Sequence, residues 1–141
     1  MKKLLIAVIA SACLTAGFAN AADEEMPDYV SSAKFDVESA LVANIFQRPD
    51  FKCHALQASD QTWTLGCFLP DKNPSPFILF TVTPDPEKTN PPMDYKVHAL
   101  NGKAKQYAQN KALRFMKIDE IYNSPIDIDK MRNQYIEKFV D

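Results

Sequence analysis

Cys53 and Cys67 lie in the middle of two short segments, residues 51–57 and 62–69, that read as β-strands around a polar turn at 58–61. If residues whose numbers sum to 120 face each other in an antiparallel pair, Cys53 faces Cys67. The sulfur atoms and an apolar face then fall on one side of the same hairpin, so two independent patterns agree on one register. We therefore predict a Cys53–Cys67 disulfide, which closes a loop of about 15 residues and contributes ~3 kcal/mol by restricting the unfolded chain.

Residues 1–21 have the features of a signal that would export the chain to an oxidising compartment, where disulfides form. Lys2 and Lys3 form a positive head, residues 4–12 are apolar, and Ala19-Asn20-Ala21 places small residues where a signal peptidase cleaves. The pattern is typical of a secretory signal peptide and is too short for a stable transmembrane helix. We predict cleavage after Ala21 and a periplasmic or secreted chain with no transmembrane span.

Cys13 leaves one alternative open, in which the protein is lipid-anchored. It follows Ala10-Ser11-Ala12, which loosely resembles a bacterial lipoprotein cleavage site. Cleavage after Ala21 instead removes Cys13 and leaves two cysteines, and an even count in an oxidising compartment favours a structural disulfide. The remaining 120 residues carry 14 basic and 18 acidic side chains, a formal charge of −4, and are enough for one domain with its own core.

The mature chain is predicted to open with a flexible leader, residues 22–35, which is polar and acidic at its start. A first helix follows over 37–47, with Asp36 as its N-cap. Its apolar stripe recurs at helical spacing in Val37, Leu41 and Ile45. Residues 36–141 are predicted to form one domain.

Further strands are predicted after the disulfide hairpin. Residues 77–83 are apolar throughout, as in a central strand buried on both faces, and residues 93–100 alternate between apolar and polar. Asn101-Gly102 tolerates the positive φ of a two-residue turn, which favours 103–109 as a return strand, although the composition of that segment also suits a short helix. Residues 113–118 are predicted as another strand.

The last helix is predicted to start with Ser124 as its cap, Pro125 at its first position and Asp127 in its positive first turn. Its core-facing stripe is Ile128, Met131, Tyr135 and Phe139. The predicted fold class is α+β, with an N-terminal helix, an antiparallel meander of four to five strands, and a C-terminal helix packed on one sheet face; the helices are expected against the same face. This element order resembles that of cystatin-like folds, without any motif.

The sequence lacks the motifs of common enzyme active sites. Only Gly66 and Gly102 remain for a phosphate-binding loop, and no nucleophile-elbow motif occurs. The two histidines, His54 and His98, fall on different predicted strands, and adjacent Cys53 and His54 point to opposite faces of one strand. We therefore predict no metal site, no cofactor and no enzymatic activity.

The charge pattern indicates one candidate surface for binding a partner. Between Asp94 and Asp119 there is no acidic residue, while the interval holds His98, Phe115 and six cations. Outside the cytoplasm such a basic interval favours lipid headgroups or acidic proteins over nucleic acid, and a solvated sheet face remains the plain alternative. The candidate partner-binding residues are Lys96, Lys103, Lys105, Lys111, Arg114 and Lys117.

The resulting functional hypothesis is a small periplasmic or secreted protein that binds an envelope protein without catalysis, and the basic interval favours an acidic partner. An inhibitor, an immunity factor or an accessory subunit of an envelope machine all fit. One alternative is a carrier of a small ligand or lipid, with a pocket lined by Trp63, Phe68, Phe77 and Phe80. Another is a hydrolase that uses His54 or His98 as a base. The sequence does not predict the oligomeric state.

Overall fold

The structure, a computed structural model, describes residues 26–120 and 124–140. The predicted signal segment 1–21, the alternative lipidation site Cys13 and residues 22–25 of the predicted leader lie outside the described residues. The elements in chain order are α1 (Asp28–Leu41), a π-helical turn (Val42–Phe46), β1 (Lys52–Ser59), β2 (Thr62–Phe68), β3 (Ile78–Pro84), β4 (Tyr95–Ala99), α2 (Gly102–Ala108), a 3₁₀ helix (Lys111–Met116) and α3 (Ile128–Phe139).

The four strands form one antiparallel meander in the order β1-β2-β3-β4. The predicted register of the first hairpin is confirmed: Cys53 is paired with Cys67 in β1 and β2, and the two cysteines form a disulfide. Strand β3 is interior, and its residues 78–82 are buried, as the continuous apolar run predicts. The sheet thus has two edge strands, β1 and β4, and the α+β class is confirmed with four strands.

Each face of the sheet carries its own apolar core. Alternation along the strands sends one set of side chains, such as Leu65 and Phe80, toward α1, α2 and the 3₁₀ helix. The other set, such as Phe68 and Leu79, packs with Met131 and Tyr135 of α3. The expectation that the helices share one face is therefore wrong, since α1 and α3 lie on opposite faces. Strands β2 and β3 carry apolar side chains on both faces, and each apolar face must be buried against a helix.

The first helix begins earlier than predicted. It starts at Asp28, inside the segment predicted as a flexible leader, because Val30, Ala33 and Val37 form a fully buried stripe along it. Asp36 is consequently not a cap. Its carboxylate accepts a hydrogen bond of 2.5 Å from the hydroxyl of Tyr95 in β4, which ties the helix to the sheet.

The return strand predicted at 103–109 and the strand predicted at 113–118 are also wrong. The first is α2, and most of the second lies in the 3₁₀ helix. Asn101 is an N-cap rather than a turn residue: its side chain accepts from the N–H groups of Ala104 and Leu79 at 3.0 and 3.1 Å. The last helix likewise begins later than predicted, at Ile128, with Asp127 as the cap in place of Ser124.

Candidate functional site

The basic interval predicted from the sequence is presented by three successive elements. Its six cations lie on β4, α2 and the 3₁₀ helix with its C-cap, and all six side chains are exposed. Helix α2 buries Ala104 and Ala108, four residues apart, and leaves Lys103 and Lys105 in solvent. We call the exposed set the basic region: Lys96, Lys103, Lys105, Lys111, Arg114 and Lys117.

The 3₁₀ helix aligns two of these cations. In this helix type, residues three apart lie on the same side. Leu113 and Met116 are therefore buried together, and Lys111 and Arg114 are exposed together on another side. The helix starts at a defined point because the Asn110 side chain accepts from the N–H of Ala112 at 2.9 Å.

Phe115 is the aromatic residue of this helix and is 49% exposed. Its backbone is held in place, since the side-chain amide of Asn90 donates to the Phe115 carbonyl oxygen at 3.0 Å. Asn90 belongs to the loop between β3 and β4, so this bond links the loop to the 3₁₀ helix. The result is a solvent-exposed ring next to Arg114 on a fixed backbone.

A cavity of about 220 Å³ opens where this loop, the edge of β4 and the end of the 3₁₀ helix meet. It brings together Lys96 and Lys117, which are twenty-one positions apart in the sequence. We call it the β4 cavity; its lining residues are Thr89, Asn90, Tyr95, Lys96, Val97, His98, Met116, Lys117 and Asp119.

Asp119 closes one end of the β4 cavity through its backbone. Its N–H donates to the Val97 carbonyl oxygen at 3.1 Å, and its own carbonyl oxygen accepts from the N–H of Ala99 at 2.8 Å. Burial lowers the pKa of His98 in this cavity, and the nearby Asp119 carboxylate acts in the opposite direction. The lysines, the histidine and the amide of Asn90 make the cavity suited to an anion rather than a cation.

The structure brings together only part of the predicted site. Lys96 and His98 share one face of β4, as alternation predicts. A return strand at 103–109 would have placed Lys105 on the sheet as well, but residues 102–108 form a helix and Lys105 lies on α2. Sequence analysis missed Asn90 and the cavity itself, since neither the bond to Phe115 nor the approach of Lys96 to Lys117 follows from any local pattern.

The two histidines lie far apart. His54 is on edge strand β1 and stacks on Phe139 of α3, with ring centroids 4.1 Å apart, while His98 is on edge strand β4. Three strand spacings separate these edges, roughly 14 Å. Within residues 26–120 and 124–140, no group of three or more His, Cys, Asp or Glu side chains is placed to hold a metal ion.

The aromatic residues considered for a ligand pocket are part of the two cores. All four are less than 10% exposed, and they divide between the two faces of the sheet. Among the described residues, no helix has the length and apolar character needed to cross a membrane. The four aromatic residues are Trp63, Phe68, Phe77 and Phe80.

No family model, curated protein or solved structure matches this chain. The basis for a functional proposal is therefore the chemistry of its own residues.

Proposed function

We propose that this protein is a small, non-catalytic binding module of the cell envelope, periplasmic or secreted, that binds an acidic protein through the basic region. The observation that carries the proposal is Phe115, an exposed ring on a 3₁₀ helix that also presents Lys111 and Arg114. Aromatic and arginine side chains dominate the energetics of protein interfaces, and charge around them selects the partner. A partner with clustered carboxylates complements this surface.

Rigid presentation strengthens the proposal. Asn101 caps α2, Asn110 caps the 3₁₀ helix, and Asn90 fixes the carbonyl of Phe115. Side chains on a fixed backbone lose less conformational freedom when a partner binds, so more of the contact energy appears as affinity. Between Asp94 and Asp119 there is no acidic residue, so fewer carboxylates of the chain itself compete with a partner for these cations.

The envelope assignment is supported by the disulfide between Cys53 and Cys67, because such bonds persist in oxidising compartments. The same bond leaves neither of these cysteines available as a thiolate nucleophile. His54 is packed against Phe139, and burial lowers its pKa. These features favour a binding role over a hydrolytic one.

The test is a capture experiment with matched charge variants of the full chain. One variant carries Lys111→Glu and Arg114→Glu in the basic region; the control carries Lys72→Glu and Lys130→Glu, which make the same change in charge at exposed positions elsewhere. Envelope extract from the source cells is passed over each immobilised protein, and captured proteins are identified and then re-bound in purified form. A Phe115→Ala variant is measured with the purified partner.

We expect the wild type and the control to capture the same acidic protein, and the basic-region variant to lose it. Removal of the Phe115 ring is expected to weaken binding by tenfold or more, in line with a loss of more than ~1.4 kcal/mol at an interface hot spot. Binding is also expected to weaken at high salt. Equal capture by both charge variants, or a partner with no acidic surface, would overturn the proposal.

A further inference from the structure

We propose that the β4 cavity is a socket for one carboxylate side chain of the acidic partner, so that an aspartate or glutamate enters between Lys96 and Lys117 while the rest of the partner covers Phe115. The inference rests on the proposed function and adds a defined anchoring point to it. The volume of the β4 cavity, about 220 Å³, is enough for one carboxylate-bearing side chain and lies below the usual range for drug-sized ligands.

The two lysines reach the cavity from different elements. Lys96 extends from β4, and Lys117 ends the 3₁₀ helix in the left-handed conformation, with φ of 50°. This conformation is uncommon for a residue other than glycine, asparagine or aspartate, and it ends the helix so that Lys117 turns toward β4. The Asn90–Phe115 bond holds the opposite wall.

The strand edge adds a backbone donor. The N–H of Ala99 and the carbonyl of Val97 both face Asp119, as their hydrogen bonds show. Backbone groups two residues apart on a strand point to the same side, so the N–H of Val97 is also directed to this edge, where Val97 lines the cavity. An N–H and two ammonium groups around one cavity form the donor set that a carboxylate requires.

The charge of the cavity depends on pH. The charged groups that act on His98 are Asp119 beside it and Lys96 on its own strand. Lys117 and Tyr95 line the same cavity, and Tyr95 stays neutral because burial raises its pKa. Near pH 7 two ammonium groups face one carboxylate, while His98 is neutral because burial lowers its pKa. An incoming carboxylate favours protonation of His98, so binding takes up a proton and strengthens as the pH falls from 7 toward 5.

The test uses a blocked hexaglutamate peptide as the probe, with blocked hexaglutamine as its neutral control, and follows backbone amide resonances of the oxidised full chain. We expect the amides of Val97, His98 and Lys117 to shift and saturate with hexaglutamate only. Lys117→Gln is expected to lower the affinity for hexaglutamate about fivefold, which is the upper range for the loss of one partly exposed ion pair. The matched control, Lys72→Gln, removes the same charge at an exposed position outside both the cavity and the basic region and is expected to leave the affinity within twofold.

Asp119→Asn provides a gain of function, because it removes the opposing carboxylate and keeps the shape of the side chain. We expect it to tighten hexaglutamate several-fold, and we expect His98→Gln to remove the strengthening between pH 7 and 5. The inference is overturned if Lys72→Gln weakens binding as much as Lys117→Gln, if Asp119→Asn has no effect, or if inorganic phosphate displaces the peptide at equal concentration. In those cases capture by the basic region still tests the proposed function separately.

Discussion

Gly66 in β2 supports the ring of Tyr135, and replacing it with alanine tests the packing of α3 on the sheet. A Cβ atom at this position would lie 2.9 Å from Cε1 of Tyr135 and 3.0 Å from its Cδ1 and Cζ atoms. Carbon atoms pack best at about 3.5–4.0 Å, so three contacts are too short by roughly 0.5–1 Å. The ring must move or the strand must shift.

The ring has little room to move. Tyr135 is fully buried, its hydroxyl lies 2.6 Å from Oγ1 of Thr64, and Phe77 and Phe139 pack around it with centroid distances of 5.9 and 5.8 Å. Forcing an extra methyl group into such a site typically costs 1–3 kcal/mol. For a domain of this size, about 4 °C of melting temperature is lost per kcal/mol. We therefore expect Gly66→Ala to lower the melting temperature by roughly 4–12 °C.

The assay is thermal and urea unfolding of the oxidised protein, with Gly102→Ala as the matched control. Gly102 has no atom within 4 Å of an added Cβ and lies at the start of α2, so alanine there is expected to be neutral or to stabilise by ~0.5 kcal/mol. A double-mutant cycle with Tyr135→Leu adds a second check, because the Gly66→Ala cost must shrink by at least ~1 kcal/mol once the ring is gone. An unchanged cost in that background, or a Gly66→Ala loss no larger than that of Gly102→Ala, refutes the reasoning.

Three further predictions concern stability. Replacing Cys53 and Cys67 with serine is expected to cost ~3 kcal/mol, measured by urea unfolding, because the unfolded chain regains the freedom of a loop of about 15 residues. Asn101→Ala is expected to cost about 2–3 kcal/mol, since its side chain accepts from two N–H groups and donates to the Phe77 carbonyl oxygen at 2.8 Å. Stability is expected to fall as the pH drops below about 6.5, because burial lowers the pKa of His54 and of His98, so the unfolded chain binds more protons there.

Each of these has its own control. Reduction of the wild type must reproduce the serine variant, and a reduced protein as stable as the oxidised one contradicts the first prediction. Asn101→Ser keeps a side-chain acceptor for the N–H of Ala104, so it must cost less than Asn101→Ala. His54→Phe keeps a ring on Phe139 without a titrating group, and it must flatten the loss of stability between pH 7 and 5; an unchanged slope excludes His54 as a source.

The sequence patterns succeeded where neighbouring residues decide the structure. The Cys53–Cys67 register followed from alternation within one hairpin, and the apolar run of β3 predicted an interior strand. They failed where a side chain has two possible roles. Asn101 suits both a hairpin turn and a helix cap, and its bonds to β3, not its own preference, select the cap.

Helix α1 shows the same division. Val30, Ala33 and Val37 carry helical spacing in the sequence, but the polar residues between them and the acidic start of the segment concealed it. The helix is stabilised by burial of this stripe on the sheet and by the Tyr95–Asp36 bond, both of which join residues distant in the chain. Contacts of that kind outweigh local propensity because most helical stability comes from packing.

By itself, the sequence determined the α+β class, the disulfide hairpin and the interval from Lys96 to Lys117 that holds six cations and no acidic residue. Each of these depends on spacing along the chain. Only the tertiary structure decided which cations meet. It brought Lys96 and Lys117 to one cavity at the edge of β4 and left the Phe115 ring exposed. The physical reason is that charges and rings act through distance in space, and that distance is fixed by how the sheet and its two cores pack.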